Sequence, residues 1–359
     1  MSKKNRYGLI LAGGRGTRFW PRSRRAHAKQ VMRFLGERSL IQQTVDRLRP
    51  AIPPERLWVI TNDHLRAEIV RQLPEVPAKQ ILAEPAQRNT APCIGLAAHI
   101  LESLDPRAVF GVFPADHFIS RPKEYLKLLV PAFAAAERGE IAVIGIEPRW
   151  AETGYGYIEF PKGVEAGKRE TVKVRKFREK PDLPAARRYV KSGNFYWNAG
   201  MFFWKTSVFL DALREFKPAT AGLIDGLPPF SSRKFAAAVA EAFPRCENVS
   251  VDYAVLEHAR NVVGVPAGDI GWNDVGSWNA VYELMDRDGA GNYSRAEALI
   301  ESSSGNYVDA SGKLVALLGV RDLVIVDTPD ALLIADRARA QEVGNLVKLL
   351  EKRKRDDLL

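Results

Sequence analysis

Cysteine is nearly absent from this 359-residue chain: there are two, Cys93 and Cys246, and they form no Cys-x-x-Cys pair. That excludes a disulfide-stapled secreted scaffold and a zinc ribbon, and it fits a reducing cytosol. Also missing is any apolar run long enough to span a bilayer. Met1-Ser-Lys-Lys-Asn-Arg6 leads into the strand-like Tyr7–Ala12 without an apolar leader, so no membrane association is expected. Acidic residues are in deficit, 43 against 53 Lys and Arg, for a formal net charge of +10. The excess basic charge comes with no RNP-like, KH-like or zinc-finger pattern, and no nucleic-acid partner is expected. A composition of 46% hydrophobic and 27% charged residues excludes global disorder and a fibrous chain.

What is present is an alternation of short apolar runs with helical periodicities. Gly8–Ala12, Leu57–Thr61, Gln80–Leu82, Ala108–Phe113 and Ile141–Ile146 read as strands, separated by helical patterns at Leu40–Leu48, Leu65–Leu73, Thr90–Leu104 and Tyr125–Arg138. Ser39 with Gln42 makes a capping box, and Asn89-Thr90 with Pro92 opens the third helix. Such an alternation implies parallel β-α-β crossovers, hence an α/β fold with a mostly parallel, Rossmann-like sheet covered on both faces. From about residue 150 the text changes. Gly154–Phe160, Val172–Phe177 and Asn198–Trp204 read as further strands, and Ser207–Phe216, Ser231–Phe243 and Ser250–Ala259 as helices. Beyond residue 290 come short β runs separated by Ser, Gly, Asp and Pro, with no strict repeat period, and then a terminal amphipathic helix. The expected division is a main part, 1–290, and a small β-rich part, 291–359. The basic tail Lys352–Arg355 reads as a solvated helix end.

The strongest local feature is Leu9-Ile-Leu-Ala-Gly-Gly-Arg-Gly-Thr-Arg18, an apolar strand running directly into a glycine loop that carries arginines. Glycines let backbone N–H groups approach phosphate oxygens, and the arginines add permanent charge. The loop is neither common template: the dinucleotide fingerprint needs Gly where Phe19 stands, and the Walker A pattern needs a Gly-Lys-Ser/Thr that is absent. Arg15, Arg18, Arg22, Arg24 and Arg25 cluster here, which points to a small polyanion. Asp116 follows the predicted central strand, where open α/β sheets bind ligands, and Asp274 lies in a turn before a later helix. Two such carboxylates suit Mg²⁺ shared with phosphate oxygens and water.

Six segments occur in the same order as in the bacterial mannose-1-phosphate guanylyltransferases, a branch of the sugar-1-phosphate nucleotidylyltransferases. They are Leu11–Pro21 with Lys29-Gln30, Glu84–Pro92, Phe113–His117, Phe177–Pro181, Trp197–Met201 and Gly271–Trp278. The resemblance spans almost the whole chain. It implies a glycosyltransferase-A-like core and transfer of GMP from GTP to mannose 1-phosphate, with Mg²⁺ as cofactor, in the cytoplasm and with room for a homodimer. By the same resemblance, Ala12, Gly13, Gly14, Arg15, Gly16, Thr17 and Arg18 bind the triphosphate together with Lys29. Glu84, Asn89 and Thr90 read the guanine, and Asp116 and Asp274 hold the metal. Gly156, Glu179, Lys180, Asn198, Gly200 and Asn273 line the sugar pocket. Arg18, Lys29, Asp116, Lys180 and Asp274 form the catalytic set. His117 is expected to position or pack, since this chemistry needs no base. Ala28 stands where the family usually has proline before the lysine. The chain ends without the phosphomannose isomerase domain of some relatives, so one activity is expected. Two readings stay open beside this one: a glucose-1-phosphate uridylyl- or thymidylyltransferase, and a non-catalytic nucleotide-binding subunit.

Overall fold

The computed structural model describes residues 5–359. Four strands, β1 (Arg6–Leu11), β2 (Leu57–Asn62), β3 (Ile81–Glu84) and β4 (Val109–Pro114), pair in parallel in the order β3-β2-β1-β4. The sheet continues through the antiparallel strand Phe195–Lys205 to the parallel pair Ile141–Ile146 and Val262–Ala267, and reaches ten strands. Alternation along β1 divides the core: Ile10 packs with Ile41, Val45, Leu65 and Leu129 on one face, whereas Leu9 packs with Ile94, Leu101, Phe209 and Leu213 on the other. Both faces are therefore covered by helices, as a mostly parallel sheet requires. Among the described residues, no helix is long and apolar enough to cross a membrane.

The cap signals act as the sequence implies. Ser39 and Gln42 close a reciprocal capping box on Leu40–Leu48, and Asn89 Oδ1 accepts the Thr90 N–H at 2.9 Å at the head of Thr90–Leu104. The middle of the chain departs from expectation in detail. The helix expected over 250–259 is a single wide turn, Asp252–Leu256, and Pro218–Asp225 forms an additional helix behind a proline at its first position.

The C-terminal strands coil. Tyr293–Ser294 pairs in parallel with Tyr307–Asp309, which pairs in parallel with Leu323–Asp327, and Ala298–Glu301 pairs in parallel with Val315–Leu318. The register steps from Tyr293 to Tyr307 and from Tyr307 to Val324, 14 and then 17 residues, so no fixed period shows in the sequence. Asn306 Nδ2 donates to Asn292 Oδ1 at 2.9 Å inside the coil, and both side chains are buried. This part has a small core of its own around Val308, Leu317 and Ile325. A second, larger core joins it to the loop after β1: Phe19, Met32, Phe34 and Trp278 pack with Tyr307, Val324, Leu333 and Val343. The residues beyond 290 are thus fastened to the glycine loop by shared apolar burial.

Candidate active site

The buried strand β1 ends at the centre of the sheet and delivers the glycine loop to its carboxyl edge. Gln30, almost fully buried, donates from Nε2 to the carbonyls of Ala12 and Gly14 at 2.6 and 3.0 Å, while Thr61 Oγ1 donates to Ala12 at 2.9 Å. These bonds fix the path of the loop. Gly16 sits at φ 62°, and a Cβ there would stand 2.8 Å from both the Cβ and the backbone nitrogen of Lys29. Glycine is required on both counts.

A cavity of about 750 Å³ opens over this loop, a size suited to a nucleotide. Ala12, Gly13, Gly14, Arg15, Gly16, Thr17, Arg18, Lys29, Glu84, Asn89, Thr90 and Asp116 all line it. Glu84 closes one end. Its Oε2 accepts from the Cys93 thiol at 3.1 Å, and its Oε1 occupies space that a side chain on Gly13 would need. Burial raises the Glu84 carboxyl above its usual range and pushes the Cys93 thiol up, so the thiol keeps the proton that it donates. Asn89, at φ 63°, spends its Oδ1 on the helix cap and keeps its Nδ2 for another partner. Thr90 Oγ1 accepts from the Val251 N–H at 2.8 Å.

Lys29 joins the two acidic segments. Its Nζ donates to Asp116 Oδ2 at 2.7 Å and to the backbone carbonyl of Asp274 at 2.6 Å, and its side chain is only 8% exposed. Burial and packing therefore hold the lysine in place even though Ala28 replaces the stiffening proline. Burial is the largest single influence on Asp116 and works against its charge, yet the adjacent Lys29 ammonium, its hydrogen bond and the other neighbouring groups together keep the carboxyl below its ordinary range. Asp274 Oδ1 accepts from the Tyr155 hydroxyl at 2.7 Å. Asn273 Oδ1 accepts the Val275 N–H at 2.7 Å, and the pairing of Trp272–Asn273 with Phe118–Ile119 brings this turn beside Asp116. Burial pushes His117 down to about 4, so it is neutral near pH 7, and its Nδ1 accepts the Trp272 indole N–H at 3.2 Å. That is a packing and positioning role.

A second polar group lies outside this cavity. Glu179 Oε1 pairs with Lys180 Nζ at 3.0 Å, and Glu179 Oε2 is buried without a hydrogen-bond partner. Burial opposes the charge on Lys180, but the pairing with Glu179 pushes its pKa up. Gly156 makes room for Glu179, because any Cβ would collide with that carboxylate. Asn198 Nδ2 donates to Asp252 Oδ1 at 2.9 Å, and Asn198 Oδ1 accepts the Gly200 N–H at 3.0 Å where the register of strand Phe195–Lys205 slips. An unpaired buried carboxylate oxygen beside a flexible ammonium is prepared for a ligand with a hydroxyl group and an anion.

One part of the sequence reading needs correction. Arg22, Arg24 and Arg25 are not aimed at a polyanion: they pair with Asp309, Asp330 and Asp356 of the C-terminal part at 2.7 to 2.9 Å. The basic tail Lys352–Arg355 is exposed at the end of helix Val343–Lys352, as expected, whereas Gly344, Val347, Lys348 and Glu351 of the helix itself line the cavity. Gln87, Cys93, Asn248, Tyr155 and Asp252 also escaped the sequence reading. Only Gln87 had a signal, its place inside the Glu84–Pro92 segment.

Residues 7–290 match the nucleotidyl transferase family, and the chain belongs to that family. Residues 299–350 match a domain described as MannoseP isomerase/GMP-like β-helix. A Salmonella muenchen protein named mannose-1-phosphate guanylyltransferase is 38% identical over 357 residues, covering 97% of this chain and 74% of its own length. The Escherichia coli K12 protein of the same name is 37% identical over 362 residues, covering 98% of this chain and 74% of its own. A crystal structure from Thermus thermophilus, titled a mannose-1-phosphate geranyltransferase, superposes with a TM-score of 0.84 at 31% identity. It covers 97% of this chain and 99% of that one.

Proposed function

We propose that this chain is a mannose-1-phosphate guanylyltransferase, a cytoplasmic enzyme that transfers GMP from GTP to α-D-mannose 1-phosphate and releases pyrophosphate. One observation carries the reading: a single cavity holds the glycine–arginine loop, the Glu84–Thr90 segment and the Lys29–Asp116 pair. Relatives at 37–38% identity over nearly the whole chain bear that name and support the choice of substrates. The buried, unbridged thiols of Cys93 and Cys246 support a reducing compartment. The division of labour is a catalytic part, 1–290, with a β-rich part, 291–359.

In the reaction an oxygen of the sugar phosphate attacks the α-phosphorus of GTP in line. One P–O bond forms to that oxygen, the bond from the α-phosphorus to the bridging oxygen breaks, and pyrophosphate departs with the electron pair. No protein nucleophile takes part. The chain has to position two anions and offset their charge. The loop amides and Arg15 and Arg18 hold the triphosphate, and Lys29, fixed by Asp116 and the Asp274 carbonyl, directs its charge toward the phosphates. Glu84 and Asn89 contact the base. Glu179 and Asn198 bind sugar hydroxyls in the pocket shaped by Gly156, Gly200 and Asn273, and Lys180 swings from Glu179 to the sugar phosphate.

The donor set fits Mg²⁺. Among the described residues no group of three or more His, Cys, Asp or Glu could hold a metal alone. Asp116 and Asp274 each commit one carboxylate oxygen to a side-chain hydrogen bond. Two carboxylates completed by substrate phosphates and water are the usual protein share of a magnesium site. Bound there, Mg²⁺ would neutralise charge developing on the phosphates.

The test is pyrophosphate release in the presence of Mg²⁺, with GTP, ATP, UTP and dTTP each offered against mannose 1-phosphate and glucose 1-phosphate. Release chiefly from GTP with mannose 1-phosphate is expected, with none in EDTA. Preference for another pair would overturn the base or sugar assignment, and no release from any pair would overturn the enzyme reading.

A further inference from the structure

The cavity has one wall that the nucleotidyl transferase sheet does not supply. Helix Val343–Lys352 passes directly over the glycine loop, so closely that a methyl group added at Gly344 would stand 3.3 Å from Thr17 Oγ1 and 3.7 Å from Arg18 Cγ. Both loop arginines are engaged by this end of the chain. Arg15 Nη2 pairs with Glu351 Oε1 at 2.5 Å, and Arg18 Nη1 donates to Gln341 Oε1 at 2.7 Å. Lys348 also lines the cavity, and its hydrogen bond, to Asn345 Oδ1 of its own helix, is 3.5 Å long, at the weak limit for such a bond.

We propose that this helix belongs to the nucleotide site. Lys348 binds the terminal phosphates of the triphosphate, while Glu351 and Gln341 occupy Arg15 and Arg18 in place of phosphate oxygens until the nucleotide arrives. The inference rests on reading the cavity as a GTP site. Its physical basis is the asymmetry of the two pairings. The Arg15–Glu351 pair is exposed on both sides, 43% and 36%, so water and salt screen it and it opens at small cost. A triphosphate offers several charged oxygens to the same guanidinium. Glu351 at the same time repels every anion entering the cavity, most effectively offset by a ligand with enough charge to engage both arginines and Lys348. The wall therefore favours a triphosphate over a mono- or diphosphate.

Calorimetric titration of the full chain with GTP and with GMP, in Mg²⁺ and without sugar phosphate, tests this. Glu351→Gln is expected to tighten GTP about threefold, since a repelling charge of exposed-pair strength is removed. Lys348→Ala is expected to weaken GTP about tenfold and to flatten its salt dependence, with GMP much less affected and Lys348→Arg restoring binding. The KM for mannose 1-phosphate and the melting temperature stay unchanged in all three, which a merely structural role of the helix would not give. Wild-type protein that binds GTP while the variants bind it equally well would overturn this inference alone, as would weaker GTP binding by Glu351→Gln. A wild-type chain that binds no GTP would remove the proposed function as well.

Discussion

The ammonium of Lys29 lies 2.7 Å from the carboxylate of Asp116, joining the short turn Lys29–Val31 that follows the glycine loop to the end of strand β4 across 87 residues of sequence. A cation expected on the phosphates and an acid expected on the metal are thus neighbours before any substrate binds. Each fixes the other: the lysine keeps the aspartate ionised, and the aspartate keeps the lysine from turning outward.

Asp116→Asn breaks that relationship with almost no change of shape. Turnover should fall at least about 10²–10³-fold, the range for losing one preorganised hydrogen-bond donor from an acyl-transfer site. Half-maximal activity should also require more Mg²⁺. Steady-state rates over a magnesium titration check both, and a variant with normal rate and normal magnesium dependence would remove Asp116 from the metal assignment.

Gly16→Ala and Gly14→Ala separate conformation from space. Gly16 has φ 62° and would press its new methyl into Lys29, whereas a Cβ on Gly14 meets nothing within 4 Å. The left-handed backbone alone costs about 1–2 kcal/mol for alanine. Chemical denaturation should show that loss or more for Gly16→Ala and close to none for Gly14→Ala, and Gly16→Ala should lose at least about tenfold in kcat/KM because Lys29 shifts.

Arg22→Ala tests how the C-terminal part is fastened. Asp309 has 4% of its side chain exposed and Arg22 27%, and burial raises the Asp309 carboxyl while Arg22 draws it back. Deleting the arginine strands a buried acid and should cost about 2–3 kcal/mol in denaturant unfolding, less than the roughly 3–5 kcal/mol of a fully buried pair because Arg22 is partly exposed. Arg22→Ala combined with Asp309→Asn should recover part of that loss. No recovery would show that the arginine acts through packing alone.

Asp252 gives a pH signature. Burial first, then Glu179, pushes its carboxyl up from 3.8 to about 6. The folded state therefore binds more protons than the unfolded state between those values, and stability falls as pH rises through that window. Asp252→Asn removes the penalty. The difference in melting temperature, variant minus wild type, should grow from pH 4 to pH 6 and level off above it, measured without ligand. A difference that stays constant over that range would contradict the assignment.

Much of this was legible in the amino-acid sequence because the determining interactions are local. Periodicity along Leu40–Leu48 and Thr90–Leu104, the caps at Ser39 and Asn89, and the apolar strands β1, β2 and β4 follow from neighbours within a few residues. The glycine loop is contiguous, so its phosphate-binding character is written in one stretch, and most of the cavity's lining comes from such stretches.

The tertiary structure alone decided which charges meet across more than 280 residues of chain. Nothing near Arg15, Arg22 or Arg25 in sequence distinguishes a phosphate ligand from an ion-pair partner, yet folding gives them Glu351, Asp309 and Asp356. Coil steps of 14 and 17 residues hide the β-helical path from any search for a period, and that path is what lays the terminal helix on the glycine loop. A charged side chain is recognisable by type, but its partner is set by where the backbone carries it, and only the packed core fixes that.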